Sequence, residues 1–236
     1  MGERVQVEQK VLSANDRLAA ELREGWERRG VFCMNVVGAS GCGKTSLLER
    51  TLERLRGRVR AGVLVGDVQT ERDAERLAGF GFPVKQIITA GVCHLDASMV
   101  QRHLPFVEHE GLELLVIENV GNLICPSAYD LGEDVRVVVL STVEGDDKPL
   151  KYPGMFRKSQ VLVISKLDLV GCTEFDVDRA VAHARAINPA LTIFKTSSRT
   201  GEGLDEWLGW LEQRVADKRR STASTSATLS PPARPS

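Results

Sequence analysis

The sequence lacks the features that mark membrane, secreted and nucleic-acid-binding proteins. No apolar run approaches the ~18 residues of a membrane span, and the opening MGERVQVEQK has no apolar core of the kind that a signal peptide carries. The net charge is only −1, so charge gives no reason to expect binding to nucleic acid or to a membrane surface. We therefore expect a cytoplasmic protein whose five cysteines are reduced, and thus free, buried or metal-binding rather than paired.

The N-terminal segment lacks the residues that bind soft metal ions, and the C-terminal segment has few large apolar residues. Residues 1–30 contain neither cysteine nor histidine. The stretch from Ser221, STASTSATLSPPARPS, has almost no large apolar residues and cannot bury enough surface to order itself, so we predict a disordered tail over residues 219–236. Overall, 42% hydrophobic and 27% charged residues in a chain of 236 are typical of one globular domain with appendages.

A glycine-rich stretch, GASGCGKT over residues 38–45, lies between an apolar run and a segment of helical character. Strand, glycine-rich loop and helix is the order that a phosphate-binding loop requires, because glycines let successive backbone N–H groups point inward toward anionic oxygens. The alternative is a coincidental glycine-rich turn, but the whole stretch and both flanks match, so we predict binding of a nucleoside triphosphate. The predicted binding residues are Gly38, Ser40, Gly41, Cys42, Gly43, Lys44, Thr45 and Ser46, with Lys44 on the terminal phosphates and Thr45 on Mg²⁺.

Apolar runs and amphipathic segments alternate through the chain, which predicts an α/β fold with a mainly parallel sheet and helices on both faces. Strands are predicted at 31–37, 62–65, 84–89, 112–117, 135–140, 161–164 and 191–194. Helices are predicted at 10–29, 46–55, 71–79, 96–104, 175–187 and 204–218. The first helix belongs to an N-terminal extension over residues 1–30, and the nucleotide domain spans residues 31–218.

Two acidic residues follow predicted strands and so lie at the carboxyl edge of the sheet, where open α/β folds bind ligands. Asp67, in GDVQT, suits Mg²⁺ directly or through water; alternatively it caps the next helix, and the two roles are compatible. Glu118, in IENVG, is placed to hold magnesium or orient the attacking water, and the N–H of Gly121 to contact the γ-phosphate. Lys44, Asp67 and Glu118 are therefore the predicted catalytic residues, and Thr45, Asp67 and Glu118 the predicted Mg²⁺ ligands.

The SKLD stretch at residues 165–168 resembles the Asn-Lys-x-Asp guanine-specificity motif of GTPases. In that motif the aspartate accepts two N–H groups that adenine cannot supply, and the lysine stem lies along the base. Lys166 and Asp168 are present, whereas Ser165 replaces asparagine, which we expect to weaken a bracing or base-contacting hydrogen bond. Ser197 lies in a loop with the spacing of the segment that contacts guanine O6. The alternative is a lysine–aspartate pair on an ordinary loop; we favour GTP and GDP as ligands.

Cys93 and His94, with Cys125 further on, form the remaining group with metal-binding chemistry. Thiolates and imidazoles bind ions such as Zn²⁺ and Ni²⁺, but cysteine is also a common small hydrophobic residue. Spacing alone therefore leaves a metal site and structural cysteines as equal alternatives. Cys125 lies just past the loop of Glu118 and Gly121, so a metal there would be coupled to the loop that senses the γ-phosphate. Three ligands leave a tetrahedral shell incomplete, which makes a site shared across a dimer plausible.

Together these stretches resemble the HypB family of hydrogenase nickel-incorporation GTPases. The resemblance covers residues 10–216 and is most specific in ENVGNLICP at 118–126 and EGDDKPLKYP at 144–153. It implies a SIMIBI-class P-loop GTPase that forms a homodimer with GTP and helps deliver Ni²⁺ to the large-subunit precursor of NiFe-hydrogenase, together with other maturation proteins. By the same resemblance Cys93, His94 and Cys125 form a metal site that can also hold Zn²⁺, which makes the metal interpretation the favoured one.

Some members of that family carry an N-terminal cysteine motif or a histidine-rich tract for nickel, and the composition of residues 1–30 leads us to expect neither function here. Slow turnover is expected because no water-activating glutamine or arginine finger can be identified. Lys148, in EGDDKP, contacts a phosphate or a partner, or is simply solvated. Two other functions stay open: a metallochaperone that binds GTP without hydrolysing it, and a related GTPase that serves another metalloenzyme such as urease.

Overall fold

A computed structural model describes the backbone over residues 2–68 and 72–228 and the side chains over 9–68 and 72–223. Its strands are β1 (Phe32–Gly38), β2 (Ala61–Asp67), β3 (Val84–Ile88), β4 (Leu114–Glu118), β5 (Val135–Ser141), β6 (Val161–Ser165) and β7 (Thr192–Lys195). They form one seven-stranded sheet in the order β3-β2-β4-β1-β5-β6-β7. Every neighbouring pair runs parallel, so the predicted parallel α/β fold is confirmed.

The helices connect the strands in the expected alternation. They are α1 (Gly2–Arg29), α2 (Lys44–Leu55), α3 (Arg72–Ala78), α4 (Ala97–His103), α5 (Lys148–Lys151), α6 (Pro153–Lys158), α7 (Val177–Ile187) and α8 (Leu204–Thr228). The sequence does not predict α5 and α6, because each is too short to show a helical repeat of apolar residues. None of the helices in the described part of the chain combines the length and apolar character that a membrane crossing needs.

Helices cover both faces of the sheet, as predicted. Strands β1, β4, β5 and β6 are buried at every position, which is the pattern of a parallel sheet covered on two sides. On one face, α2, α3 and α8 pack against alternate residues of the strands. On the other face, α1 and α4 cover one half of the sheet, and α6 and α7 cover the other half.

The C-terminal helix corrects the predicted start of the tail. We predicted disorder from residue 219, but α8 continues to Thr228; residues 229–236 lie outside the described residues. Contacts at residue 218, where the predicted helix ends, and at residue 222 beyond it accompany the longer helix. Lys218 Nζ forms ion pairs with Glu27 and Asp134, and Thr222 Oγ1 donates a hydrogen bond to the Glu27 carbonyl oxygen at 2.9 Å. These tertiary partners stabilise a segment whose own apolar content is too low to order it.

The parallel topology gathers the functional candidates at one edge, because the carboxyl ends of all strands point the same way. The phosphate-binding loop follows β1, Asp67 ends β2 and Glu118 ends β4. Cys93 follows β3, and Lys166 follows β6 directly. Residues from five separate strand ends are thus brought to one edge of the molecule.

Candidate functional site: a nucleotide cleft joined to a cysteine and histidine group

The loop of residues 38–45 curls around the start of α2, and its backbone requires glycine. Gly41 and Gly43 have φ values of 73° and 98°, in the left-handed region. A Cβ atom on Gly38 would lie 2.6 Å from Cys42 Sγ and 2.7 Å from the Val139 carbonyl oxygen. The buried Lys44 folds over this loop, and its Nζ donates to the carbonyl oxygens of Gly38 and Ala39. The geometry is that of a loop prepared to surround an anion.

Two hydrogen bonds tie the loop to the SKLD segment. Ser165 Oγ donates to the Cys42 carbonyl oxygen at 2.5 Å, and Lys166 Nζ donates to the Gly41 carbonyl oxygen at 2.7 Å. Ser165 therefore forms a hydrogen bond that braces the loop, although we expected the replacement of asparagine by serine to weaken such a bond. Burial raises the pKa of the Cys42 thiol to about 11, so this cysteine stays protonated beneath the loop and does not offer a thiolate to a metal.

The three predicted magnesium ligands meet in one cleft of about 310 Å³, whose lining includes Thr45, Asp67 and Glu118. Thr45 Oγ1 donates to Glu118 Oε1 at 2.7 Å. The other oxygen, Glu118 Oε2, is buried and has no hydrogen-bond partner among the described residues. Burial raises the pKa of Glu118 to about 7, against the opposing effects of Lys44 and the Thr45 hydrogen bond. An all-oxygen donor set with one unpartnered carboxylate oxygen fits Mg²⁺.

Arg76, on α3, lines the same cleft and is absent from the predicted site. Its Nη2 donates to Ser46 Oγ at 3.1 Å, and its guanidinium forms a two-point contact with the Glu49 carboxylate. Guanidinium groups suit phosphate oxygens because they carry a permanent charge and several donors. In the sequence Arg76 is one of several charged residues in an amphipathic helix, and only its place in the fold distinguishes it.

A second cleft of about 530 Å³ continues from the first and shares Gly43, Ser46 and Lys166 with it. Asp168 lines this second cleft. Its carboxylate accepts hydrogen bonds from Ser197 Oγ and from Arg199 Nε, and these contacts hold the pKa of Asp168 below its usual range. The carboxylate is therefore ionised at neutral pH, as acceptance of two guanine N–H groups requires.

Ser197 lies behind Asp168 instead of on the wall of the cleft. It is fully buried, and its backbone N–H already donates to the Glu202 carbonyl oxygen at 2.9 Å. The neighbouring Ser198 lines the cleft. The expected role of this loop in contacting a base is thus still a prediction, but Ser197 itself serves here to hold the Asp168 carboxylate.

Cys93, His94 and Cys125 come together although they lie in separate loops. Their ligand atoms are all within 4.8 Å of one another, and the two Sγ atoms are 2.7 Å apart. His94 Nδ1 is buried without a hydrogen-bond partner in the described part of the chain. Burial lowers the pKa of His94, which keeps the imidazole neutral at pH 7 as metal ligation needs. Two sulfur donors and one imidazole fit Zn²⁺ or Ni²⁺.

A short stretch, residues 118–125, connects this group to the nucleotide cleft. Gly121 packs against the phosphate-binding loop so closely that a Cβ atom on it would lie 2.9 Å from Ser40 Cα. Asn122 forms a backbone bridge with Gly38, and its side chain donates to the Cys93 carbonyl oxygen at 3.2 Å. The stretch thus makes direct contacts with both the phosphate-binding loop and the loop of Cys93.

Lys148 is paired instead of freely solvated. Its Nζ lies 3.4 Å from Glu144 Oε1 and 5.3 Å from the centroid of the Tyr152 ring. A contact between Lys148 and a phosphate or a partner is still a prediction.

Comparison with known proteins gives a consistent result. The family described as CobW/HypB/UreG, nucleotide-binding domain, matches residues 32–195. The hydrogenase maturation factor HypB of Azotobacter chroococcum mcd 1 is 46% identical over 219 residues, which cover 92% of this chain and 71% of that protein. The crystal structure of HypB from Archaeoglobus fulgidus has a TM-score of 0.80 and 42% identity, covering 86% of this chain and 99% of that chain.

A second solved structure, HypB from Helicobacter pylori in complex with nickel, has a TM-score of 0.79 and 36% identity. The match covers 87% of this chain and 97% of that chain. The matched segment of the family runs from β1 to β7 and thus contains the cleft of the phosphate-binding loop and the group of Cys93, His94 and Cys125. The chain belongs to the CobW/HypB/UreG family, and within that family to the HypB hydrogenase maturation factors.

Proposed function

We propose that this protein is a GTP-binding, slowly GTP-hydrolysing nickel metallochaperone that helps to insert nickel into NiFe-hydrogenase precursors. The observation that carries the proposal is the stretch of residues 118–125, which begins in the phosphate cleft with Glu118 and ends at the metal group with Cys125. The resemblance to HypB maturation factors, one of them solved with nickel, supports the same function.

In this proposal the nucleotide lies across the two joined clefts. The phosphates are held by the loop of residues 38–45 and Lys44, and the guanine base by Lys166 and the ionised Asp168. Thr45, Asp67 and Glu118 would hold Mg²⁺, which when bound neutralises phosphate charge. Thr45 donates its hydroxyl hydrogen to Glu118 in the described structure, and the lone pairs of its oxygen would still be available to the cation.

Nickel is the cargo, and Cys93, His94 and Cys125 are its ligands. Three ligands leave room for a fourth, and we assign it to a second copy of the chain in a GTP-bound homodimer. Exposed apolar residues support this assignment, because Val92 and Ile124 directly precede Cys93 and Cys125 and are 38% and 64% exposed. A second copy seated on the metal group would bury both side chains.

The coupling requires that GTP bind more tightly to the conformation that is competent to bind metal than to the other conformation. A ligand with equal affinity for two conformations does not shift the equilibrium between them. Hydrolysis then returns the chain to the other state and releases or transfers nickel to a maturation partner or to the hydrogenase precursor. We further propose a cytoplasmic location, where the thiols that hold the metal stay reduced.

The test is a titration with Ni²⁺ in the presence of GDP and then of a non-hydrolysable GTP analogue, with the mass of the protein measured in parallel. We expect the affinity of the protein for nickel, or the number of nickel ions bound per chain, to differ between the two nucleotides. We also expect the protein to form a dimer when the GTP analogue is bound. The Cys125→Ala variant is the control and should lose nickel affinity while it keeps GTP affinity. Identical nickel binding and an unchanged mass in both nucleotides would refute the coupled carrier.

The same preparation separates hydrolysis from binding alone. Slow release of phosphate from GTP is expected in the presence of Mg²⁺. If the analogue produces the dimer and the nickel change but GTP is never hydrolysed, the protein is a metallochaperone for which the nucleotide is only a structural ligand.

A further inference from the structure

The metal ligands belong to two loops that the sequence separates widely. Cys93 and His94 lie between β3 and α4, and Cys125 lies in a short 3-10 turn after β4. Metal affinity depends on holding such ligands at a fixed separation, because each loop that must be ordered on binding costs free energy. The residues that join the two loops therefore influence the affinity of the site without touching the metal.

Asn15 joins both loops through a single side chain. It lies on α1, 7% exposed, on the sheet face that carries α4. Its Nδ2 donates to the Asp130 carbonyl oxygen at 2.9 Å, at the end of the loop that begins with Cys125. Its Oδ1 accepts the Ala97 N–H at 2.9 Å, three residues after His94 and at the first turn of α4. A side-chain amide can make these two bonds at once because it carries a donor and an acceptor.

The same loop orients the histidine ligand. The Tyr129 ring stacks on the His94 imidazole, with ring centroids 3.8 Å apart and planes 18° apart. His94 Nδ1 has no hydrogen-bond partner within the described ranges, and the ring contact described for this imidazole is the tyrosine stack. The stacked tyrosine thus sets the plane of the ring. Asp130, the next residue, is held by Asn15 and by Arg23, whose Nη2 contacts both carboxylate oxygens at 2.6 and 2.8 Å.

We propose that Asn15 is a positioning residue for the metal site and that Arg23 is its second anchor, so that α1 sets the geometry of Cys93, His94 and Cys125. The proposal deepens the proposed function, on which its nickel test rests. Neither Asn15 nor Arg23 lines the cleft that holds the phosphate-binding loop or the cleft of Asp168. Their replacement should therefore act on the metal site and not on the nucleotide.

The chain offers a matched control in Asn188, which makes the same kind of bonds far from the metal group. Its Nδ2 donates to the Phe156 and Ser159 carbonyl oxygens at 3.3 and 2.8 Å, and its Oδ1 accepts the Ala190 N–H at 3.1 Å. The Asn188→Ala variant removes a comparable set of bonds on the half of the sheet covered by α6 and α7. Any loss of nickel affinity caused only by general destabilisation would appear in this variant too.

The experiment compares the full-length protein with its Asn15→Ala, Arg23→Ala and Asn188→Ala variants, each titrated with Ni²⁺ while the thiolate-to-nickel absorption is recorded. We expect nickel affinity to fall about tenfold in Asn15→Ala and less in Arg23→Ala, with a changed absorption spectrum. GTP affinity should stay at the wild-type value in both, and Asn188→Ala should bind nickel normally. The ion pair of Arg23 is half-exposed, so its loss should cost little stability and the Arg23→Ala variant should fold. This variant therefore tests the proposal if Asn15→Ala does not fold.

A second measurement needs no nickel. Phenylarsine oxide captures two neighbouring thiols by forming two As–S bonds and releasing water, so its rate of capture reports how often Cys93 and Cys125 lie together. Capture should be slower in Asn15→Ala and Arg23→Ala than in the wild type and in Asn188→Ala. If the wild type shows no nickel binding that depends on Cys125, the proposed function fails, and arsenical capture still decides the role of Asn15.

Equal nickel affinity and equal capture in the wild type, Asn15→Ala and Arg23→Ala would overturn the inference. An equal loss in Asn188→Ala would do the same, because it would show that the effect is not specific to α1.

Discussion

The buried carboxyl group of Glu118 gives the sharpest quantitative prediction. Glu118 is 2% exposed, accepts one hydrogen bond from Thr45 and leaves Oε2 without a partner among the described residues. Its pKa is about 7, because burial disfavours the charged form more than Lys44 and Thr45 favour it. Replacement of Glu118 by glutamine removes the charge but keeps an oxygen that can accept the Thr45 hydroxyl.

The magnitude follows from the change in pKa between the unfolded and folded states. A carboxyl whose folded pKa is raised from 4.5 to about 7 contributes stability that is fully present below pH 4.5 and is lost as the pH rises to 7. With 1.36 kcal/mol for each pKa unit, the ionised group costs the metal-free protein up to about 3 kcal/mol at pH 8. Glu118→Gln should therefore be more stable than the wild type at pH 8 by up to that amount, but by less than about 1 kcal/mol at pH 5, where the folded-state carboxyl is mostly protonated.

The assay is urea denaturation at pH 5 and pH 8 in the presence of a chelator and without nucleotide. Glu113→Gln is the matched control, since Glu113 is also buried but its carboxylate accepts the Arg60 N–H at 2.8 Å and pairs with Arg219. That variant should lose stability at pH 8. Glu118→Gln should also gain less stability than the wild type when Mg²⁺ and GTP are added, because a neutral amide is a poorer partner for the cation.

Parallel pH profiles for the wild type and Glu118→Gln between pH 5 and 8 would refute this reasoning. That result would mean that the Glu118 carboxylate is stabilised in the metal-free fold, for instance by Lys44, and does not require a cation.

Three further variants test the rest of the cleft. Asp168→Asn should shift preference from GTP toward xanthosine triphosphate, measured by competitive nucleotide binding; unchanged GTP affinity would contradict the assignment of the base. Ser165→Ala should leave the Cys42 carbonyl oxygen without its hydroxyl partner and lower the free energy of unfolding by about 1–3 kcal/mol, measured by urea denaturation, whereas unchanged stability would show that the brace is unimportant. Arg76→Ala should slow phosphate release from GTP about tenfold to a hundredfold, the loss expected for one charge-assisted hydrogen bond; an unchanged rate of release would exclude Arg76 from hydrolysis.

Much of the fold could be predicted because its signals are local. Most of the strands contain a short apolar run, and the longer helices carry apolar residues on one side, so both can be recognised within a window of about ten residues. Parallel topology then places Asp67, Glu118 and Asp168 at one edge of the sheet without any knowledge of side-chain contacts. The short helices α5 and α6 escaped prediction because four to six residues are too few to show a repeat.

The corrections all involve partners that are distant in the sequence. Helix α8 runs past its predicted end at residue 218, and Thr222 in the added segment donates to the Glu27 carbonyl oxygen on α1. Ser165 braces the phosphate-binding loop because β6 places its hydroxyl beneath the Cys42 carbonyl. Ser197 holds Asp168 instead of lining the cleft, since its own N–H is already bonded to Glu202. No local pattern in the sequence indicates any of these contacts.

The sequence by itself thus determined the class of fold, the phosphate-binding loop and the identity of the candidate ligands, because these depend on residue type and short-range spacing. Only the tertiary structure decided that Cys93, His94 and Cys125 meet, that Arg76 lines the cleft of the phosphate-binding loop, and that Asn15 ties the loops of His94 and Cys125 to α1. Those arrangements arise when helices from opposite ends of the chain pack on one sheet. They depend on contacts between segments that the sequence keeps apart.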